Sequence, residues 1–208
     1  MIDLILDDCM NVMKKYEDNH FDLAIVDPPY EMEKKSKIGG FTKGRQLFQD
    51  KKIAKWDIAP KKEYFDELFR VSKNQIIWGG NYFINHLSNT RGIICWDKEQ
   101  PFPNFSAWEM AWTSFNCVSK IYKFRNQNYK RRGGKIHPTQ KPIELYGWLL
   151  KNYAKKGDKI LDTHLGSGSI AVACYEMAYD FVGIEIDEEY YNKAKHRVEQ
   201  LTKQKTLF

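Results

Sequence analysis

The 208 residues carry a formal net charge of +6 and are 42% hydrophobic and 14% aromatic, which is enough apolar surface for one domain with a substantial core and too little length for two full ones. No apolar stretch is long enough to span a bilayer as a helix, and Met1-Ile2-Asp3-Leu4 lacks the basic-then-apolar pattern of a secretory signal, so a cytoplasmic protein is expected. Cys9, Cys95, Cys117 and Cys174 are scattered, with no Cys-x-x-Cys pair and no His-x-x-x-His spacing; they read as buried thiols, with no metal site.

In chain order, Ile2 to Leu6 reads as a short strand, and Asp8 stands where it would cap a helix starting at Cys9. The apolar run Leu23-Ala24-Ile25-Val26 predicts a buried strand, and the Lys-rich stretch after Tyr30, with Gly39-Gly40 and Gly44, predicts a loop. Residues 61–71 have a helical pattern. Strand signals then dominate at Gln75 to Trp78, Gly92 to Trp96, Glu109 to Phe115 and Val118 to Phe124, the last two spaced to form a hairpin across Asn116-Cys117. Pro142 opens a helical pattern through Ile143, Tyr146, Leu149, Leu150 and Tyr153, ended by Lys156-Gly157-Asp158. The final third runs strand (Lys159 to Asp162), glycine loop (Gly166 to Ser169), helix (Ile170 to Ala178), strand (Phe181 to Glu185) and a charged helix opened by Asp187 and Glu188. This alternation predicts an α/β fold with a mainly parallel sheet covered by helices.

Basic charge is concentrated. Residues 31–55 hold eight Lys or Arg against three acids, and residues 119–141 hold eight against none, so the rest of the chain is acidic on balance. Two such segments suit a surface that follows phosphates and releases counterions, although two solvated loops would have the same composition.

Asp27-Pro28-Pro29-Tyr30 directly follows the Leu23–Val26 run. An aryl amine is a poor nucleophile because its lone pair is delocalised into the ring. The Asp27 carboxylate and a backbone carbonyl of Pro28-Pro29 could each accept one amine hydrogen and turn that lone pair towards a methyl donor. The prolines hold the acceptors still, and Tyr30 offers a flat face for an extruded base. A merely rigid acidic turn is the competing reading of this tetrapeptide.

The last third suits a nucleoside. A glycine turn leaving a strand permits close backbone approach, here through Gly166, Ser167 and Gly168, and Glu185, seventeen residues after Gly168, stands where an acid can accept from both ribose hydroxyls. Asp162 either binds a cofactor amine or holds the loop, His164 has at most a supporting role, and Asp8 either reads an adenine amine or only caps its helix. His137-Pro138-Thr139-Gln140-Lys141-Pro142 precedes a helix, where free amides and Lys141 could meet a carboxylate; an ordinary helix start is the alternative.

In this order, Asp7-Asp8-Cys9, Asp27 to Tyr30, His137 to Pro142, Asp162 to Gly168 and Gly183 to Asp187 resemble the permuted, beta-class DNA amino-methyltransferases, in which the catalytic motif precedes the cofactor loop. The resemblance spans nearly the whole chain. It implies a Rossmann-like seven-stranded methyltransferase sheet, S-adenosylmethionine as donor and an extruded adenine in double-stranded DNA as acceptor. It places Asp27, Pro28, Pro29 and Tyr30 at the chemistry, and Asp8, Cys9, His137, Thr139, Lys141, Asp162, His164, Gly166, Ser167, Gly168 and Glu185 around the cofactor. Asp27 favours adenine N6, since cytosine-N4 enzymes of this kind more often place serine there. No Pro-Cys dipeptide is present to suggest methylation of the cytosine ring carbon. His164 and Thr163 stand where the family usually has phenylalanine and often has proline. With only 106 residues from Glu31 to Ile136, a large separate recognition domain does not fit. Lys120, Lys123, Arg125, Lys130, Arg131, Arg132 and Lys135, interleaved with Tyr122, Phe124 and Tyr129, are therefore expected to grip phosphates, reading a short target alone or with a second subunit as a homodimer. A cytosine-N4, RNA or protein methyltransferase, and a module that binds nucleic acid without catalysis, are the competing readings.

Overall fold

The computed structural model describes residues 1–31, 57–100, 106–125 and 134–203. Nearly all of the first basic segment, including Gly39, Gly40 and Gly44, and also Tyr129, Lys130, Arg131 and Arg132, lie outside the described residues. The described elements are β1 (Ile2–Leu6), α1 (Cys9–Met13), β2 (Phe21–Val26), α2 (Lys62–Val71), β3 (Ser72–Trp78), β4 (Ile93–Asp97), β5 (Trp108–Thr113), β6 (Lys120–Lys123), α3 (Ile143–Tyr153), β7 (Lys159–Asp162), α4 (Ser169–Glu176), β8 (Asp180–Glu185) and α5 (Glu188–Lys203). Among the described residues the strands form one sheet in the order β1-β8-β7-β2-β3-β5-β4-β6.

β2 shows why the sheet is sandwiched. Successive side chains of a strand point to opposite faces, so Leu23 and Ile25 enter one core with Ile76, Trp78 and Ile160, while Ala24 and Val26 enter the other with Ile77, Leu161 and Ile184. A strand buried on both sides has to be apolar throughout. Residues of α3, α4 and α5 close the first core, and those of α1 and α2 close the second. The buried positions of α2, Tyr64, Phe65, Leu68 and Val71, form one helical stripe. No helix among the described residues is long and apolar enough to cross a membrane.

All strand pairs are parallel except those of β5, which runs antiparallel to both β3 and β4. Two expectations change here. The hairpin across Asn116-Cys117 does not form, because both edges of β5 are already bonded to β3 and β4; the following strand crosses to the far side of β4 and pairs parallel with it, Cys95 opposite Ile121. That edge strand makes the sheet eight-stranded where seven strands were expected. Smaller adjustments concern α3, which has Pro142 at its N-cap and ends at Tyr153, before Lys156-Gly157-Asp158, and the cysteines, of which only Cys174 is fully buried.

The strand order places the site. β7 lies against β2, with Leu23 opposite Ile160 and Ala24 opposite Leu161. From that seam the chain winds outward in both directions, to β8 and β1 on one side and to β3 on the other. Ligands of open α/β sheets bind beyond the carboxyl ends of strands at such a switch point, and here those ends carry Asp27 and Asp162. Leu149, in α3, is fully buried in the first core. Leu149→Ala is expected to lower the unfolding free energy by about 2–5 kcal/mol, measured by urea denaturation.

Candidate active site

Asp27 leaves β2 with both carboxylate oxygens engaged: Oδ1 accepts from the Tyr30 hydroxyl, and Oδ2 accepts from the Lys141 ammonium. The Lys141 side chain is 3% exposed, and its ammonium also lies 3.2 Å from Glu109 Oε2 and 5.1 Å from the centre of the Trp78 ring. Burial alone would lower the lysine pKa, but Asp27 and Glu109 outweigh it and hold the ammonium above its ordinary value. Lys141 is thus a fixed cation. Its partner is the acid of the Asp27 tetrapeptide, in place of the free cofactor carboxylate that the helix start had suggested.

Tyr30 is held from several sides. Its ring stacks on Tyr82 at 4.9 Å and 21°, and meets the Phe83 ring edge-on at 5.9 Å. Gly79 sits against it with φ +67°, and a Cβ there would come within 2.2 Å of Tyr30 Cε1. Both the left-handed backbone and the close approach require glycine at 79. Burial, reinforced by Asp27, holds the Tyr30 hydroxyl well above its ordinary range, so it serves as a hydrogen-bond donor.

The rim on the β7 side is built from the glycine loop. Gly168, at φ +68°, precedes α4, and a Cβ there would crowd Val198 of α5 at 3.0 Å. Buried Arg197, also on α5, donates to the Ser167 carbonyl at 2.7 Å and to Ser169 Oγ at 3.1 Å, so the C-terminal helix clamps the loop. Glu185 Oε2 accepts from the Gly166 amide at 2.9 Å, while Oε1 accepts from the Ile186 and Asp187 amides at 3.0 Å each. A carboxylate has about four acceptor positions. Three are taken by amides, which leaves acceptor capacity on Oε2 for a ligand hydroxyl. Burial pushes the Glu185 carboxyl up, against those three amides.

Asp162 is buried, and its Oδ1 accepts from the His164 amide at 3.0 Å. His164 closes a relay: the Tyr64 hydroxyl lies 2.6 Å from Thr163 Oγ1, which lies 2.9 Å from His164 Nδ1. Either hydroxyl can donate in the first contact, and the role of Nδ1 in the second follows from the imidazole tautomer. Burial holds this imidazole neutral, with its pKa lowered to about 4. A hydrogen-bonded pair, Thr163 and His164, thus takes the place of the proline and phenylalanine frequent in the family.

His137 packs against Tyr190 at 4.5 Å and is turned by Thr139, whose amide and hydroxyl lie 3.4 and 3.1 Å from Nδ1. Burial, then Lys141 and Lys135, lower its pKa to about 4. The ring borders the cofactor loop, since a Cβ on Gly166 would stand 3.6 Å from Nδ1. Asp8 caps α1 by accepting from the Met10 amide at 2.7 Å. Burial and neighbouring Asp8 push the Cys9 thiol up to about 12. A fixed carboxylate, a clamped glycine loop and neutral imidazoles are a donor and acceptor set that fits a nucleoside with an amino-acid tail.

The expected phosphate-binding residues stand apart from this centre. Lys120 and Lys123 lie on β6, four strands from β2, roughly 19 Å at the usual strand spacing. Lys120 donates to Asn152 at 2.8 Å and lies over the Tyr153 ring, whereas Lys123, Arg125 and Lys135 are exposed. Glu109, Trp78, Tyr82 and Arg197 were not singled out from the sequence. Only Glu109 had a usable signal, as an acid within the apolar run Trp108-Glu109-Met110-Ala111-Trp112. Among the described residues no group of three or more His, Cys, Asp or Glu side chains is arranged to hold a metal.

The sheet, its strand-end site and its helix layers define a Rossmann-like methyltransferase fold. A solved structure described as the M1.HpyAVI complex with SAM is similar over 95% of this chain and 99% of its own, with 18% identity and a TM-score of 0.64. The cytosine-N4-specific PvuII DNA methyltransferase is similar over 97% and 90%, with 12% identity and a TM-score of 0.66. In sequence, the Type II methyltransferase M2.MboI of Moraxella bovis is 24% identical over 93% of this chain and 86% of its own length. A DNA methylase family model, that of the N6/N4 methyltransferases, matches residues 96–196. These likenesses support a place for the chain in the DNA amino-methyltransferase family.

The buried carboxyl of Asp162 makes stability depend on pH. Burial, opposed by the His164 amide and reinforced by Asp27 and Glu185, raises its pKa from an ordinary 3.8 to about 8 in the folded protein. The unfolded chain therefore ionises it first, and the folded state loses stability as pH rises from about 4 to about 8, then levels off. Asp162→Asn is expected to gain stability relative to the parent progressively across that window, as read by urea denaturation at a series of pH values.

Proposed function

We propose that the protein transfers a methyl group from S-adenosylmethionine to adenine N6 in double-stranded DNA, acting on a base rotated out of the helix. The observation that carries this reading is Asp27, ionically held by Lys141 and hydrogen-bonded by Tyr30 at the seam between β2 and β7. Bound S-adenosylmethionine supplies an electrophilic methyl group on a sulfonium, which the amine lone pair takes as the carbon–sulfur bond breaks. Asp27 accepts one amine hydrogen and a carbonyl of Pro28-Pro29 the other, aiming that lone pair. Tyr30 supports the base ring, and the amine proton leaves by way of the Asp27 carboxylate that accepts it. Glu185 takes a ribose hydroxyl, with Gly166, Ser167, Gly168, Asp162, His164, His137, Thr139, Asp8 and Cys9 lining the donor side.

Adenine is favoured because an aspartate heads the tetrapeptide. The fold likeness to the cytosine-N4-specific PvuII enzyme supports cytosine N4 as the second reading. The named Type II relative supports a role in restriction-modification.

Labelled donor incubated with duplex DNA, followed by digestion and mass spectrometry, is expected to yield N6-methyladenine; N4-methylcytosine would establish the second reading, and label on RNA or protein alone would overturn both. Asp27→Ala is expected to lose about 100-fold or more in transfer while binding donor within about twofold of the parent. Glu185→Ala is expected to weaken donor binding about 10-fold or more, measured by calorimetry.

The basic segments supply the phosphate contacts. Changing Lys130, Arg131 and Arg132 together to alanine is expected to make the slope of log affinity against log salt less steep by up to about 3. An unchanged slope in a fluorescence titration would remove these residues from the DNA contact.

A further inference from the structure

We infer that Glu109 is a positioning residue for the transfer: by sharing the Lys141 ammonium it keeps the Asp27 carboxylate a strong acceptor for the substrate amine, and Lys98 tempers this from the other side. The inference deepens the reading of Asp27 as the amine acceptor and rests on it. Four charges alternate in succession, Asp27, Lys141, Glu109 and Lys98. Lys141 bonds Asp27 Oδ2 and lies 3.2 Å from Glu109 Oε2, and Lys98 Nζ lies 2.5 Å from Glu109 Oε1. An ammonium has three hydrogens. Two carboxylates lie within reach of it, and the Trp78 ring centre lies 5.1 Å from Nζ.

The consequence follows from electrostatics. With Asp27 as its only acid partner, a buried ammonium would draw that carboxylate's electron density to itself and weaken it as an acceptor. Glu109 divides the attraction. Burial alone would raise the Glu109 carboxyl, but Lys141 and Lys98 outweigh it, so the group stays ionised. Among the described residues the titratable groups facing Asp27 are Tyr30 in its own loop, Tyr64 from α2, Tyr146 from α3, Asp162 from β7, Lys141, and Glu109 behind Lys141. The tyrosine hydroxyls are raised by burial and stay neutral, and Asp162 ionises only near pH 8. The charges within this group are therefore those of Asp27, Lys141, Glu109 and Lys98.

Glu109 and Lys98 should act on Asp27 with opposite sign. Glu109→Gln removes negative charge behind Lys141, so Asp27 should titrate at lower pH. Lys98→Gln leaves Glu109 more strongly negative, so Asp27 should titrate at higher pH. Carbon-detected NMR titration of the Asp27 carboxyl in the full chain reads both shifts without requiring turnover. The single-turnover methylation rate at saturating DNA and donor is expected to fall about 10-fold in Glu109→Gln, with its acid limb displaced downward and donor affinity changed less than about twofold. A same-direction shift in the two variants, or no shift in either, overturns the inference whether or not methyl transfer is seen. Should Glu109→Gln fail to fold, the Lys98→Gln titration decides alone: an upward shift supports the inference, and none overturns it. A parent protein with no transfer to DNA but with the opposed shifts would instead overturn the functional reading and leave the charge chain standing.

Discussion

Within this molecule an ammonium almost without solvent, that of Lys141, is balanced by a carboxylate at the end of β2 and another on β5. Removing a charge from water costs several kcal/mol even after relaxation, and a buried pair recovers this only with good geometry and further partners. The partners come from three separate stretches: Asp27 from the end of β2, Glu109 from the antiparallel strand, and Lys141 from the segment leading into α3. Such an arrangement is weak support for stability. It is strong support for orientation, because leaving any one group unpartnered would strand a charge in a low-dielectric interior. The Asp27 carboxylate, with Tyr30 on its other oxygen, thus has one direction available.

On the donor side the same economy of motion is reached without ion pairing. The glycine loop is clamped from outside by Arg197, and Glu185 is fixed by three backbone amides. Two imidazoles in this region, His137 and His164, are neutral because burial disfavours their charged forms. The cationic donor would therefore meet oriented dipoles and carboxylates with no competing histidine charge. Asymmetry between the ion-paired acid on one side of the seam and the amide-held acid on the other suits the two tasks proposed for them, aiming an amine and holding a nucleoside.

Much of this was legible because local chemistry and tertiary placement agree. Leu23 to Val26 is apolar at every position because both its faces are covered, and the turn after it follows from the two prolines. Gly168 needs a left-handed backbone, and Asp8 caps its helix as its position suggests. Misses arose where the answer depended on what other strands had already done. Val118 to Phe124 could not pair with its sequence neighbour because β3 and β4 had filled both edges of β5. Lys141 was recognised as a cation at a helix start, but only the fold reveals that the acid before it is Asp27. Glu109 sits in a strand whose neighbours are apolar, and its purpose is invisible until Lys141 and Lys98 arrive from elsewhere.

The β2–β7 seam also bears on how the protein comes to exist. Leu23 opposite Ile160 and Ala24 opposite Leu161 join segments more than 130 residues apart. The entropy of closing so long a loop has to be met before those contacts give anything back. Neither the Asp27 turn nor the glycine loop is a site by itself, so activity requires the β2–β7 seam to have formed. The seam gives the enzyme an inherent safeguard: a partly folded chain holds both motifs and has no place to bring donor and amine together.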